Sequence, residues 1–150
     1  MIREMKKKKQ PFEWNIHLCC NGIICEDCGR TENGYIEKTC NAHTHGMEKF
    51  GHQDFQVVLR MPDKDISYVL NTFGLRVQNG ERFKAGDLVE GIFLDCSVRL
   101  DEFEETGRKV LRIMIPDRNN VFPDDEKCMQ DYRLQMLPTE ALHKVRGESS

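Results

Sequence analysis

The stretch FQVVLRMPDKDISYVLNTFGLRVQNG, residues 55–80, decides the fold. It begins by alternating. Phe55, Val57, Leu59 and Met61 fall on one side of an extended chain, the pattern of a strand with one buried face. Pro62-Asp63 ends that strand and opens a helix, with Asp63 as the expected N-cap. Ile66, Val69, Leu70, Phe73 and Val77 then recur at helical spacing and form an apolar stripe. Gly74 weakens the helix interior by about 1 kcal/mol relative to Ala, and Asn79-Gly80 supplies its stop.

Downstream, Cys96–Leu100 and Val110–Ile115 alternate again, and Glu104-Glu105-Thr106-Gly107 between them is a hairpin-type turn. Tyr132–Leu137 reads as a further strand, and Pro138-Thr139-Glu140 opens a short C-terminal helix or tail. Several strands around one good helix imply an α+β domain: a mainly antiparallel sheet packed with one principal helix at about 63–79. The chain divides into a tail and lead-in (1–17), a Cys/His-rich segment (18–45), the α+β domain (46–138) and a C-terminal tail (139–150).

The composition is that of a soluble globular domain, 39% hydrophobic and 31% charged in 150 residues. No run approaches the ~18 apolar residues of a membrane span. The basic start Lys6–Lys9 leads into Gln10-Pro11-Phe12-Glu13 rather than an apolar export signal. The expected compartment is therefore the cytoplasm, where thiols stay reduced and cysteines read as metal ligands or reactive groups. A net charge of −3 argues against a general nucleic-acid binder. The acids Glu26, Asp27, Glu32 and Glu37 give the Cys/His segment itself the wrong sign for phosphate contact. A protein partner or a homo-oligomer remains compatible with this surface.

Five of the seven cysteines fall between Cys19 and Cys40. Cys25-x2-Cys28 is followed by Cys40-x2-His43, two ligand pairs separated by a short loop, which is the spacing of a tetrahedral zinc site. Cys25, Cys28, Cys40 and His43 are the expected ligands, with Cys19, Cys20 or His45 able to replace one of them. If residues 43–45 are a strand, His43 and His45 point to the same side. Cys20-x4-Cys25-x2-Cys28 also matches the spacing of an iron–sulfur loop, but such a cluster leaves His43 unexplained. A redox role for Cys25-x-x-Cys28 lacks the strand-to-helix setting it requires, because Gly29 follows at once. A second constellation, His45, His52 and Asp54, offers an open metal site able to activate water. For His52 the competing reading is a turn histidine bonded to backbone.

From residue 41 to about 137 the chain resembles an uncharacterised bacterial domain-of-unknown-function family with a Tyr-Thr-x-Gly-Leu strand followed by Gly-His-Pro-Glu-Leu. Here these stand as His43-Thr44-His45-Gly46-Met47 and Gly51-His52-Gln53-Asp54-Phe55. Leu70-Asn71, Gly80-Glu81-Arg82-Phe83, Val98-Arg99-Leu100 and Ile115-Pro116-Asp117 continue the series. The resemblance implies a fold and a domain boundary, not a reaction. His43 and His45 replace non-ligating residues just where the cysteine-rich segment arrives, which implies a metal site peculiar to this variant. The expected function is a zinc-clipped binding or regulatory module, with a metal-dependent hydrolase and a thiol or iron–sulfur redox protein as alternatives.

Overall fold

The computed structural model describes residues 14–19, with only the backbone of Cys19, and residues 36–142. Cys20, Cys25, Cys28 and the Lys6–Lys9 run lie outside the described residues. The strands are β1 (Asn15–Cys19), β2 (Thr39–His45), β3 (Asp54–Leu59), β4 (Leu88–Val89), β5 (Val98–Glu105) and β6 (Arg108–Met114). They form one mixed sheet in the order β1-β2-β3-β6-β5-β4. All neighbouring pairs are antiparallel except β3 and β6, which run parallel with Asp54 opposite Val110. The expected α+β class, with its mainly antiparallel sheet, is the observed one.

The principal helix, α1 (Asp63–Gln78), lies on one face of that sheet, and Ile66, Val69, Leu70, Phe73 and Val77 are all buried. Fully burying a large aliphatic or aromatic side chain is worth about 1.5–3 kcal/mol, so this stripe and its partners Phe55, Val57, Leu100, Leu111 and Ile113 hold the layer in place. The N-cap position is Pro62, without a side-chain cap, and Asp63 is already helical. Its carboxylate acts on the positive helix end rather than as a cap. Gly80, at φ 107°, provides the left-handed exit, and its N–H donates to the Val77 carbonyl at 3.0 Å. Among the described residues, no helix is long and apolar enough to cross a membrane.

The β5–β6 hairpin turns at Thr106 (φ 51°) and Gly107 (φ 82°), both positive as a tight two-residue hairpin loop requires. Strand β5 runs further than expected, to Glu105, because the register continues to the pair Glu105–Arg108.

Of residues 132–137, expected as a strand, all but the extended Leu137 are instead helical: α2 (Gln130–Arg133) passes into a 3-10 turn at Leu134–Met136, and another follows at Thr139–Leu142. Two interactions explain the difference. The Gln135 amide mimics a strand partner, accepting from the Ile115 N–H at 2.8 Å and donating to the Ile115 carbonyl at 2.8 Å. The carbonyls of Gln135 and Leu137, which a ladder would have engaged, accept instead from the buried Arg112 guanidinium. The C-terminal turns thus cover the sheet face opposite α1.

That opposite face is polar. On β2, Cys40 and Ala42 enter the apolar core with α1, while the alternate residues Asn41, His43 and His45 face the other way. Gln56 of β3 and Arg112 of β6 lie across from them, both fully buried.

Candidate metal centre

Strand β1 was not expected; its residues fell in the lead-in and the Cys/His segment. It forms because Trp14, Ile16 and Leu18 alternate toward the helix side, where Trp14 is buried and donates its indole N–H to Asn71 Oδ1 at 2.9 Å. The pairing sets His17 directly opposite His43, with Asn15 opposite His45. Three imidazoles therefore converge on the polar face: His17 to His43 at 5.1 Å between ring centroids, His17 to His45 at 4.0 Å and His43 to His45 at 5.0 Å. One nitrogen from each ring lies within 4.8 Å of the other two, so the group can hold a metal ion. A tetrahedral ion with bonds of ~2.0–2.1 Å separates its nitrogen ligands by about 3.3 Å, so modest side-chain rotation closes the set.

The surroundings favour the neutral form of His43 and His45. Burial pushes His43 down to about 3; the Glu105 carboxylate opposes this, while His45, Arg108 and His17 add to it. His45 is lowered as well, first by burial and then by the Arg108 charge. A neutral ring is the metal-binding form. Arg108 Nη2 donates toward His45 Nε2 at 3.5 Å, the long limit of a hydrogen bond, and an arginine can only donate. That nitrogen therefore carries a lone pair.

Glu105 completes the setting. Its carboxylate is 1% exposed, with Oε2 3.7 Å from His43 Nε2 and 3.4 Å from Asn41 Nδ2, while Oε1 accepts from Arg108 Nε at 3.2 Å. Burial works against its charge, but His43, the Thr106 hydroxyl and the Arg108 guanidinium outweigh burial, and its pKa is lowered. With His43 neutral, Arg108 and Thr106 are the groups that keep it ionised.

The expected ligands meet this geometry unevenly. His43 and His45 share one side, as their spacing required. Cys40 does not join them: it lies in the apolar core, its sulfur 3.7 Å from the Val57 carbonyl oxygen and 3.9 Å from that of Leu59. Cys40 and His43 are three residues apart on a strand, and here they project from opposite faces, Cys40 into the core and His43 toward Asn41 and Glu105. Cys19 closes β1 opposite Asn41. Cys25, Cys28 and Cys20 fall outside the described residues.

The other candidates are engaged elsewhere. His52 Nδ1 donates to the Gln53 carbonyl at 2.8 Å and Nε2 accepts from the Phe83 N–H at 2.9 Å, with the ring stacked 5.3 Å from Phe55. It is a turn histidine bonded to backbone, not a partner of His45. Asp54 Oδ1 accepts from the Thr44 hydroxyl at 2.7 Å and the Met47 N–H at 3.1 Å, and Oδ2 accepts from Arg108. It fixes the β2–β3 corner and the arginine rather than offering an open oxygen.

Sequence reading missed His17, Glu105 and Arg108. His17 carried a signal, since it sits between Ile16 and Leu18 in a short alternating run after Trp14. Glu105 and Arg108 had none beyond flanking a turn. Comparison with protein-family models, curated proteins and solved structures finds no match for this chain.

Proposed function

We propose that His17, His43 and His45 hold a zinc ion whose fourth position is left to water, and that the protein is a metal-dependent hydrolase. One observation carries the reading: three imidazole nitrogens within 4.8 Å of one another, beside the buried Glu105 carboxylate. Three protein ligands with one open position is the pattern of catalytic zinc, where four protein ligands mark structural sites. When bound, such an ion polarises a carbonyl or phosphoryl oxygen and lowers the pKa of coordinated water to about 7. Burial and Arg108 keep His43 and His45 neutral for binding, and Asp54 and Glu105 hold Arg108 beside the site.

The test is metal content and activity together. Protein purified without added metal should carry about one zinc per chain, absent from His17→Ala and His45→Ala variants. A screen of ester and phosphoester substrates should give turnover that chelation abolishes. Equal zinc in wild type and both variants would overturn the ligand set, and zinc without any turnover would overturn the hydrolase.

A structural role is the second reading. It is favoured by the position of His17 on β1, which among the described residues is an edge strand paired on one side only. There the ion would clip the edge strand to the sheet, and chelation would lower thermal stability with no activity to lose. A separate zinc on Cys25 and Cys28, proposed from their spacing, would raise the content to two per chain and leave one in the histidine variants.

A further inference from the structure

We propose that Arg112, buried beneath the C-terminal turns, selects through Gln56 and Asn41 which nitrogen His43 offers to a metal ion. The chain of hydrogen bonds has only one consistent direction. An arginine has donors and no acceptor. Arg112 Nε lies 2.7 Å from Gln56 Oε1, which fixes that atom as the amide oxygen. The Gln56 amide nitrogen must then face the other way, and it donates to Asn41 Oδ1 at 2.9 Å and to the Thr139 hydroxyl at 3.2 Å. Asn41 Oδ1 is in turn an acceptor, so its own Nδ2 points at Glu105 Oε2, 3.4 Å away. His43 Nδ1 lies 3.2 Å from Asn41 Oδ1 and can only donate to it. The proton of neutral His43 therefore sits on Nδ1, and the lone pair sits on Nε2, the nitrogen 3.7 Å from Glu105 Oε2.

Every member of the relay is at most 2% exposed, so water does not compete for these bonds. Arg112 is held independently by the carbonyls of Gln135 and Leu137, by the Thr139 hydroxyl at 3.1 Å and by the face of Phe103, 3.6 Å from its guanidinium carbon. The direction of the relay is thus imposed from the C-terminal end of the domain. The relay leaves the lone pair of His43 on Nε2, and the Arg108 guanidinium, which can only donate, leaves that of His45 on Nε2 as well. Outer partners of this kind fix the tautomer and orientation of a ligating histidine, and their loss typically weakens metal binding 10–100-fold.

The effect on affinity rests on the metal reading above, but the tautomer does not, so two measurements separate them. In metal-free protein under chelator, nitrogen-15 spectra of the imidazoles report which nitrogen of His43 bears hydrogen. Wild type should show Nδ1–H. Gln56→Glu presents only acceptors, so Asn41 must turn its amide nitrogen toward residue 56 and toward His43. His43 should then switch to Nε2–H, although Arg112 has gained a carboxylate partner and remains anchored. Asn41→Asp keeps an acceptor beside Nδ1 and should retain the wild-type tautomer.

Zinc affinity, measured by competition with a chromogenic chelator, should fall at least tenfold in Gln56→Glu and stay within that margin in Asn41→Asp. A packing role alone would not give two acidic substitutions in one relay opposite tautomers. Nε2–H in wild type, or the same tautomer in all three proteins, would overturn the relay. The expected tautomer switch together with no zinc binding by wild type would leave the relay standing and overturn the metal reading.

Discussion

Gly74 looks like a defect in α1, and replacing it by Ala should help the helix by about 1 kcal/mol. The structure predicts the opposite sign. A Cβ built on Gly74 would come within 3.0 Å of Cζ2, Cε2 and Cη2 of Trp14, where ordinary carbon contacts lie at about 3.5–4.0 Å. The indole lies against the helix backbone and cannot slide freely, since its N–H is held by Asn71 at 2.9 Å and its edge meets Phe50. Overpacking of this kind costs about 1–3 kcal/mol, and expelling Trp14 altogether would forfeit about 3–5 kcal/mol of burial. Set against the helix gain, Gly74→Ala should lower stability by roughly 2 kcal/mol. Trp14 is the single tryptophan of the chain, so urea unfolding followed by its fluorescence reads both stability and ring environment. Trp14→Leu should remove most of the penalty from Gly74→Ala, giving a coupling of about 2 kcal/mol in a double-mutant cycle. An unchanged or higher midpoint for Gly74→Ala, with unshifted emission, would refute the reasoning.

His52→Ala leaves the Phe83 N–H without its acceptor and should cost about 1–3 kcal/mol in urea unfolding, with metal content unchanged. Cys40→Ala should likewise leave metal content unaltered, because its sulfur faces the core; loss of the ion would restore it as a ligand. Asp54→Asn turns a donor toward Arg108 and, allowing for the partial exposure of that arginine, should destabilise by about 2–4 kcal/mol, read from the same unfolding curves. In metal-free protein, His43 takes up its proton near pH 6.5 when unfolded but only at about 3 when folded. Above 6.5 neither state binds that proton; below it the unfolded state binds more, so stability falls as pH drops from 6.5 toward 3. The slope approaches ~1.4 kcal/mol per pH unit, and His43→Gln should flatten it across that window.

Much of the helix-side layer was legible because periodicity reports burial. Phe55, Val57 and Leu59 and the α1 stripe all carried the spacing of the surface they cover. The polar face was not legible for the same reason: Gln56, Arg112 and Gln135 are buried polar residues, and a hydrophobic pattern reads such residues as exposed. Tyr132–Leu137 misled because one turn of a covering segment mimics alternation, while the side chains that decide it belong to residues 112 and 115. At the site, His43 and His45 stood out by spacing on one strand. His17 required knowledge of the register between β1 and β2, which no local pattern supplies. Cys40 attracted attention by its distance from His43 in sequence, yet an odd offset on a strand places two side chains on opposite faces.

The anchoring of Arg112 also sets an order of events during synthesis. Its strand leaves the ribosome before residues 135–139, which supply the carbonyls and hydroxyl that receive its guanidinium. Until then the centre of the sheet holds a cation with Gln56 as its only side-chain acceptor among these groups, and strands β3 and β6 close around it at a disadvantage. Completion of the sheet is therefore coupled to the arrival of the C-terminal turns. A nascent chain halted before them would stay open on the polar face, exposed to chaperones and proteases, however well α1 had already packed on the other side.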